Sequence, residues 1–73
     1  MEGVLYALRV HRVWTGLTQE ELAQRSGVAR NTISRLETGE QPARPRTARK
    51  LADALGVTPK DLMDLETARG AGR

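Results

Sequence analysis

Apolar residues along this chain fall into short blocks spaced three and four apart, and a glycine or proline stands beside nearly every block. Between Val4 and Val13, Leu5, Leu8 and Arg12 form one helical stripe, and Tyr6, Val10 and Val13 form another. So broad an apolar face predicts a first helix packed across the others. A second block, around Leu22 and Ala23, runs for about two turns up to Gly27. A third carries Ala29, Ile33 and Leu36 and stops near Gly39. The fourth spans Thr47 to Leu55, with Ala48, Leu51, Ala52 and Leu55 facing inward, and a fifth begins at Thr58 and offers Met63 and Leu65. The expected product is an all-α domain of five helices over residues 1–65. Residues 66–73 have no periodicity and end in Gly-Ala-Gly-Arg, so a flexible tail is expected there.

The helix ends are marked by their own chemistry. Thr18 and Glu21 stand as Thr-x-x-Glu, the spacing of a capping box, and Leu17 and Leu22 flank it at the spacing of a hydrophobic staple. Gly27 suits the left-handed C-terminal position that closes such a helix. Thr58 caps the fifth helix, Pro59 takes its first helical position, and Asp61 suits the dipole. On the third helix, Arg30, Asn31, Ser34, Arg35 and Thr38 fall on the side away from Ile33 and Leu36. That face carries two guanidinium forks, an amide and hydroxyls, and no carboxylate. Arg pairs bidentately with guanine, Asn with adenine, and hydroxyls with either. Two short helices joined at a glycine turn, with a basic polar face on the second, describe a helix-turn-helix.

Composition narrows the alternatives. Seventy-three residues allow one domain with a small core. With no cysteine and one histidine, His11, disulfides, thiolate metal sites and a histidine cluster within one chain are excluded. No apolar run approaches a membrane span and no signal-peptide pattern appears, so a cytoplasmic protein is expected. The formal charge of +3 is unevenly placed. Arg44, Arg46, Arg49 and Lys50 lie together with no acid between Glu40 and Asp53, whereas Asp53, Asp61, Asp64 and Glu66 collect in the last third. Such asymmetry favours an oriented anionic partner.

The stretch from Gly16 to Gly39 resembles the helix-turn-helix of the lambda-repressor-like, Cro-type (xenobiotic-response-element) regulators. The residues in register are Gly16, Leu17, Thr18, Gln19, Leu22, Ala23, Gly27, Val28, Thr32, Ile33, Ser34, Glu37 and Gly39. The similarity continues through Lys50-Leu51-Ala52-Asp53-Ala54-Leu55-Gly56-Val57. It implies a compact five-helix fold with the helix-turn-helix at helices two and three. It also implies that Gln19 touches a phosphate and buttresses the recognition helix. The loop from Thr38 to Arg46 should run along the DNA backbone and offer Arg44 and Arg46 to phosphates. Glu37 lies on the inward side of helix three and needs a partner; the family's Arg–Glu bridge assigns it to Arg12. Two departures stand out. Ala29 replaces the Ser or Thr that usually caps the recognition helix, and Trp14 occupies a position usually charged. Trp14 is expected at the edge of the core, ahead of a partner chain or a sugar-phosphate backbone. His11, where the family more often has an aliphatic residue, is expected partly buried or at the rim.

The function expected is sequence-specific binding of double-stranded DNA by a transcriptional regulator, a repressor on a palindromic operator. Base contacts fall to Arg30, Asn31, Ser34 and Arg35, and phosphate contacts to Thr18, Gln19, Thr32, Arg44 and Arg46. A homodimer is expected because a lone helix-turn-helix reads few base pairs, with the fifth helix as its contact. The rival reading is an antitoxin that binds a toxin partner as well as DNA. No cofactor, metal or catalytic residue is expected.

Overall fold

The computed structural model describes residues 3–64. Five helices follow in order: α1 (Leu8–Thr15), α2 (Gln19–Ser26), α3 (Arg30–Thr38), α4 (Pro45–Leu55) and α5 (Pro59–Met63). Leu65 and the expected tail, 66–73, lie outside the described residues. None of these helices is long and apolar enough to cross a membrane.

Two helix starts differ from expectation. The first helix begins at Leu8, not Val4, and Gly3 forms an antiparallel bridge with Ala43 instead. Gly3 N donates to Ala43 O at 3.1 Å, and Ala43 N donates to Gly3 O at 2.8 Å. Leu5 and Ala7 are buried and Tyr6 between them is exposed, in a turn that Leu8 N closes by donating to Leu5 O at 3.2 Å. Ala7 N then donates to Leu62 O at 2.8 Å, so α5 satisfies backbone that a longer α1 would have satisfied internally. The fourth helix begins two residues earlier than Thr47. Pro45 takes its first turn, where a missing N–H costs nothing, and Arg44 is the N-cap.

The core sits where all five helices converge. Leu5, Leu8, Leu22, Ile33, Leu36, Leu51 and Leu62 are its fully buried large side chains. α4 supplies the floor: Ala48, Leu51, Ala52 and Leu55 are buried and packed against α2 and α5. Its alanines let the neighbouring helices approach closely, and a buried leucine such as Leu51 is worth about 2–5 kcal/mol against alanine. α1 lies across α3, α4 and α5 through Leu8 and His11.

His11 is more deeply buried than expected, at 4% exposure, and its Nε2 finds no hydrogen-bond partner among the described residues. Trp14 departs the other way. It is 61% exposed. The inward face of α1 passes through Leu8, His11 and Arg12, and two further residues of helix carry the indole round to solvent.

Candidate nucleic-acid interface

α2 is fixed at both ends by residues that its sequence announces. Thr18 Oγ1 accepts from Glu21 N at 3.0 Å, and Thr18 N donates to the Glu21 carboxylate at 2.9 Å, completing the capping box. That backbone donor, then the threonine hydroxyl, holds the Glu21 carboxyl below its ordinary value. Gly27 closes α2 at φ 77°, where a side chain would be strained. Ser26 Oγ accepts from Val28 N at 3.1 Å, and the buried Val28 pins the turn to the core. α3 begins two residues later. Ala29 is its N-cap and provides no side-chain acceptor.

Behind α3 lies a polar clamp that sets its orientation. Arg12 Nε donates to Glu37 Oε2 at 2.6 Å, and Arg12 Nη2 donates to Glu37 Oε1 at 3.0 Å, a two-point contact. The same guanidinium donates from Nη1 to Leu17 O at 2.8 Å, tying down the turn before α2. Glu37 Oε1 accepts a third bond from Gln19 Nε2 at 3.1 Å. The side chains of the ion pair are 13% and 4% exposed. Hydrogen bonding to Glu37 raises the Arg12 pKa despite desolvation. One carboxylate thus joins the end of α1, the start of α2 and the last turn of α3. The tie from Gln19 to Glu37 supplies the buttress implied by the resemblance. A side-chain amide nitrogen carries two hydrogens, so this bond leaves one for an outside acceptor.

The outer face of α3 is open. Arg30, Asn31 and Arg35 are exposed and Ser34 is half-buried. Neither Arg30 nor Arg35 is held by an ion pair among the described residues. Thr38, on the same side, already uses its hydroxyl hydrogen on Arg35 O at 3.1 Å. Thr32 lies round the helix, lining a polar concavity of about 470 Å³ with Gln41, Arg44 and Thr47. Thr32 and Arg44 are thereby brought together, while Arg46 stands exposed in the first turn of α4. Gln41 and Thr47 complete this concavity, and no pattern in the sequence marks them for it. No acid lies in the first turn of α4, so its positive dipole end stands beside arginines with no carboxylate in that turn.

Two short helices held at Gly27, the second clamped from behind and displaying arginines and an amide outward, define a helix-turn-helix domain. The chain belongs to that family: a helix-turn-helix domain model matches residues 7–65. Three similar proteins are each named as an uncharacterized HTH-type transcriptional regulator. One, from Methanothermobacter thermautotrophicus, is 51% identical over 49 residues, covering 67% of this chain and 71% of the relative. One from Methanocaldococcus jannaschii is 37% identical over 59 residues, covering 81% and 89%. One from Archaeoglobus fulgidus is 42% identical over 55 residues, covering 75% and 79%. No solved structure matches the chain.

Proposed function

We propose that this protein is a sequence-specific, double-stranded-DNA-binding transcriptional regulator that represses by occupying a palindromic operator. α3 enters the major groove and reads base edges with Arg30, Asn31, Ser34 and Arg35. Thr18, Gln19, Thr32, Arg44 and Arg46 position it on phosphates. The observation that carries this reading is the pairing of a clamped inner face of α3 with an open outer one. Glu37 fixes the helix, and Arg30 and Arg35 keep their forks for a partner. The three relatives named as transcriptional regulators support the same role. A two-fold dimer would place both recognition helices in grooves about 10–11 base pairs apart.

The test compares readers with positioners on a site selected from a random DNA pool. Arg30→Ala and Arg35→Ala are each expected to lose about 1–3 kcal/mol and relax one base-pair preference. Arg46→Ala should weaken all sequences alike and reduce the salt slope by about one unit. With about four to six phosphates neutralised per chain, log K should fall with a slope of about −4 to −5 against log salt. A flat salt response would refute DNA binding. Equal losses on selected and scrambled DNA for the α3 variants would assign Arg30 and Arg35 to phosphates.

A further inference from the structure

An apolar cavity of about 240 Å³ opens beside the bridge between Gly3 and Ala43. Four segments wall it: Gly3 and Leu5 before α1, Ala43 in the loop, Ala48 in α4, and Pro59 and Met63 in α5. It stays open because most of these walls are short. Gly3 has no side chain, and Ala43 and Ala48 carry a methyl each. Met63 leans over Gly3, where an added Cβ would stand 2.5 Å from Met63 Sδ. Its flexible thioether chain is a wall that can reshape around an occupant. Among the lining residues only Arg49 is polar, and no carboxylate is among them. Arg49 is exposed and makes no ion pair or hydrogen bond among the described residues. It follows Pro45, another lining residue, by one turn of α4. Helical side chains lean back over the preceding turn, which directs Arg49 toward Pro45.

We infer that this cavity binds a small apolar carboxylate and that its occupant steadies the loop carrying Arg44. An engineered cavity of about 150 Å³ holds benzene, so about 240 Å³ has room for one ring and a short arm. The apolar walls take the ring, and the one unengaged guanidinium at the rim selects a carboxylate on the arm. The neighbouring recesses are poorer matches. That beside Tyr6 is lined by Glu37 and that beside Gly27 by Glu20, and either acid would repel a carboxylate. Position gives the occupant a consequence. Ala43 and Pro45, both in the wall, flank Arg44 in the chain. A molecule packed on both restrains the loop before DNA arrives, so less ordering is left for the phosphate contact. This second half rests on the proposed DNA reading and makes the carboxylate tighten DNA binding.

The experiment titrates the DNA-free chain with phenylacetate, 2-phenylethanol and phenethylamine, which share a ring and differ in charge, and follows backbone amide signals by NMR. Phenylacetate should give saturable shifts at Gly3, Ala43, Ala48 and Met63 and none at Arg30 or Asn31. It should bind about three- to fivefold tighter than the alcohol, the most an exposed ion pair supplies, and the amine should bind weakest. Arg49→Gln, an exposed change, should erase the preference for the carboxylate and leave the alcohol bound. Ala48→Leu, checked for folding by circular dichroism, should fill the cavity and abolish both. Absence of saturable shifts at these amides overturns the inference, as does an amine that binds as tightly as the carboxylate. So does binding that appears only after residues 65–73 are deleted, which would make the chain's own tail the occupant. The same amides shifting with protein concentration alone would make the occupant a second copy, and again overturn it. Saturating phenylacetate should tighten binding to the selected DNA at least about fivefold against an equal concentration of acetate. An unchanged or weakened affinity overturns the control of the loop. Pocket shifts in a chain that binds no DNA at any salt would refute the DNA reading and leave the site standing.

Discussion

Replacing Glu37 with alanine should be among the most damaging single changes in this domain. The substitution removes three accepted hydrogen bonds at once, at 2.6 and 3.0 Å from Arg12 and 3.1 Å from Gln19. Arg12 cannot simply swing into water, because Nη1 remains bonded to Leu17 O at 2.8 Å. Its charge is left facing a gap under the start of α2. With side-chain exposures of 13% and 4%, the pair falls on the buried side of the range. Breaking such a pair from one side costs about 3–5 kcal/mol, against less than about 1 kcal/mol for an exposed pair. A core in a domain this small supplies only about 3–5 kcal/mol, so the variant should be largely unfolded at 25 °C. Glu37→Gln, which keeps the shape and one acceptor, should remain folded and give a measurable urea midpoint by circular dichroism. Arg12→Ala strands the carboxylate and should cost as much as Glu37→Ala. The pair Arg12→Met with Glu37→Leu should be neutral or a gain, since apolar replacement of a whole buried pair often is. Single losses below about 1 kcal/mol, or singles that add without an interaction term, would show that the clamp does not hold the fold.

Three further outcomes follow from particular residues. His11→Leu should raise stability by about 1–3 kcal/mol in denaturant titrations, because it removes the buried Nε2 that has no partner; a loss would mean the imidazole has a partner in solution. Ala29→Ser restores a side-chain acceptor to the start of α3 and should add about 0.5–2 kcal/mol, read as a higher thermal midpoint. The carboxyls of Glu21 and Asp61 sit below their ordinary values because the backbone N–H groups of Thr18 and Thr58 donate to them. Each therefore contributes stability that is complete above the ordinary carboxylate range and lost as pH falls through the lowered folded value. The stability gap between wild type and Glu21→Gln should accordingly shrink as pH falls below that range, and a gap constant with pH would show that this carboxyl is unperturbed.

The middle of the chain was readable because several local signals agree there. Thr18, Glu21, Leu17, Leu22 and Gly27 mark α2 by capping, staple and termination, and the structure forms both halves of the box. The structure departs from the sequence pattern where that pattern has two solutions. Leu5 and Leu8 fit a helical stripe, but the pairing of Gly3 with Ala43 and a turn from Leu5 to Leu8 hold the chain out of the helix until Leu8. No periodicity announces a partner so distant in sequence. Pro45 marks a loop end and a helical first turn equally well, and the structure uses it for the start of α4. Trp14, expected at the core edge, is on the surface. Size alone does not place a side chain; its angle from Arg12 does. Neither the Gln19–Glu37 bond nor the Arg12–Leu17 bond is visible in spacing, since both depend on how three helix ends meet.

The bridge at Gly3 and the bond from Ala7 to Leu62 also bear on the order in which the domain is assembled. Contacts within the α2–α3 unit are local and close short loops, so they are inexpensive in entropy. The segment before α1 is held locally only through the carbonyls of Leu5 and Ala7. Gly3 and the Ala7 N–H wait for the loop after α3 and for α5, both made later during synthesis. On the ribosome, α2 and α3 should therefore draw together first, with the start of the chain left loose until Leu62 has emerged. The loop that carries Arg44 is anchored by Ala43 to that same late-settling segment. A nascent chain would thus form α3 before the loop beside it is fixed in place.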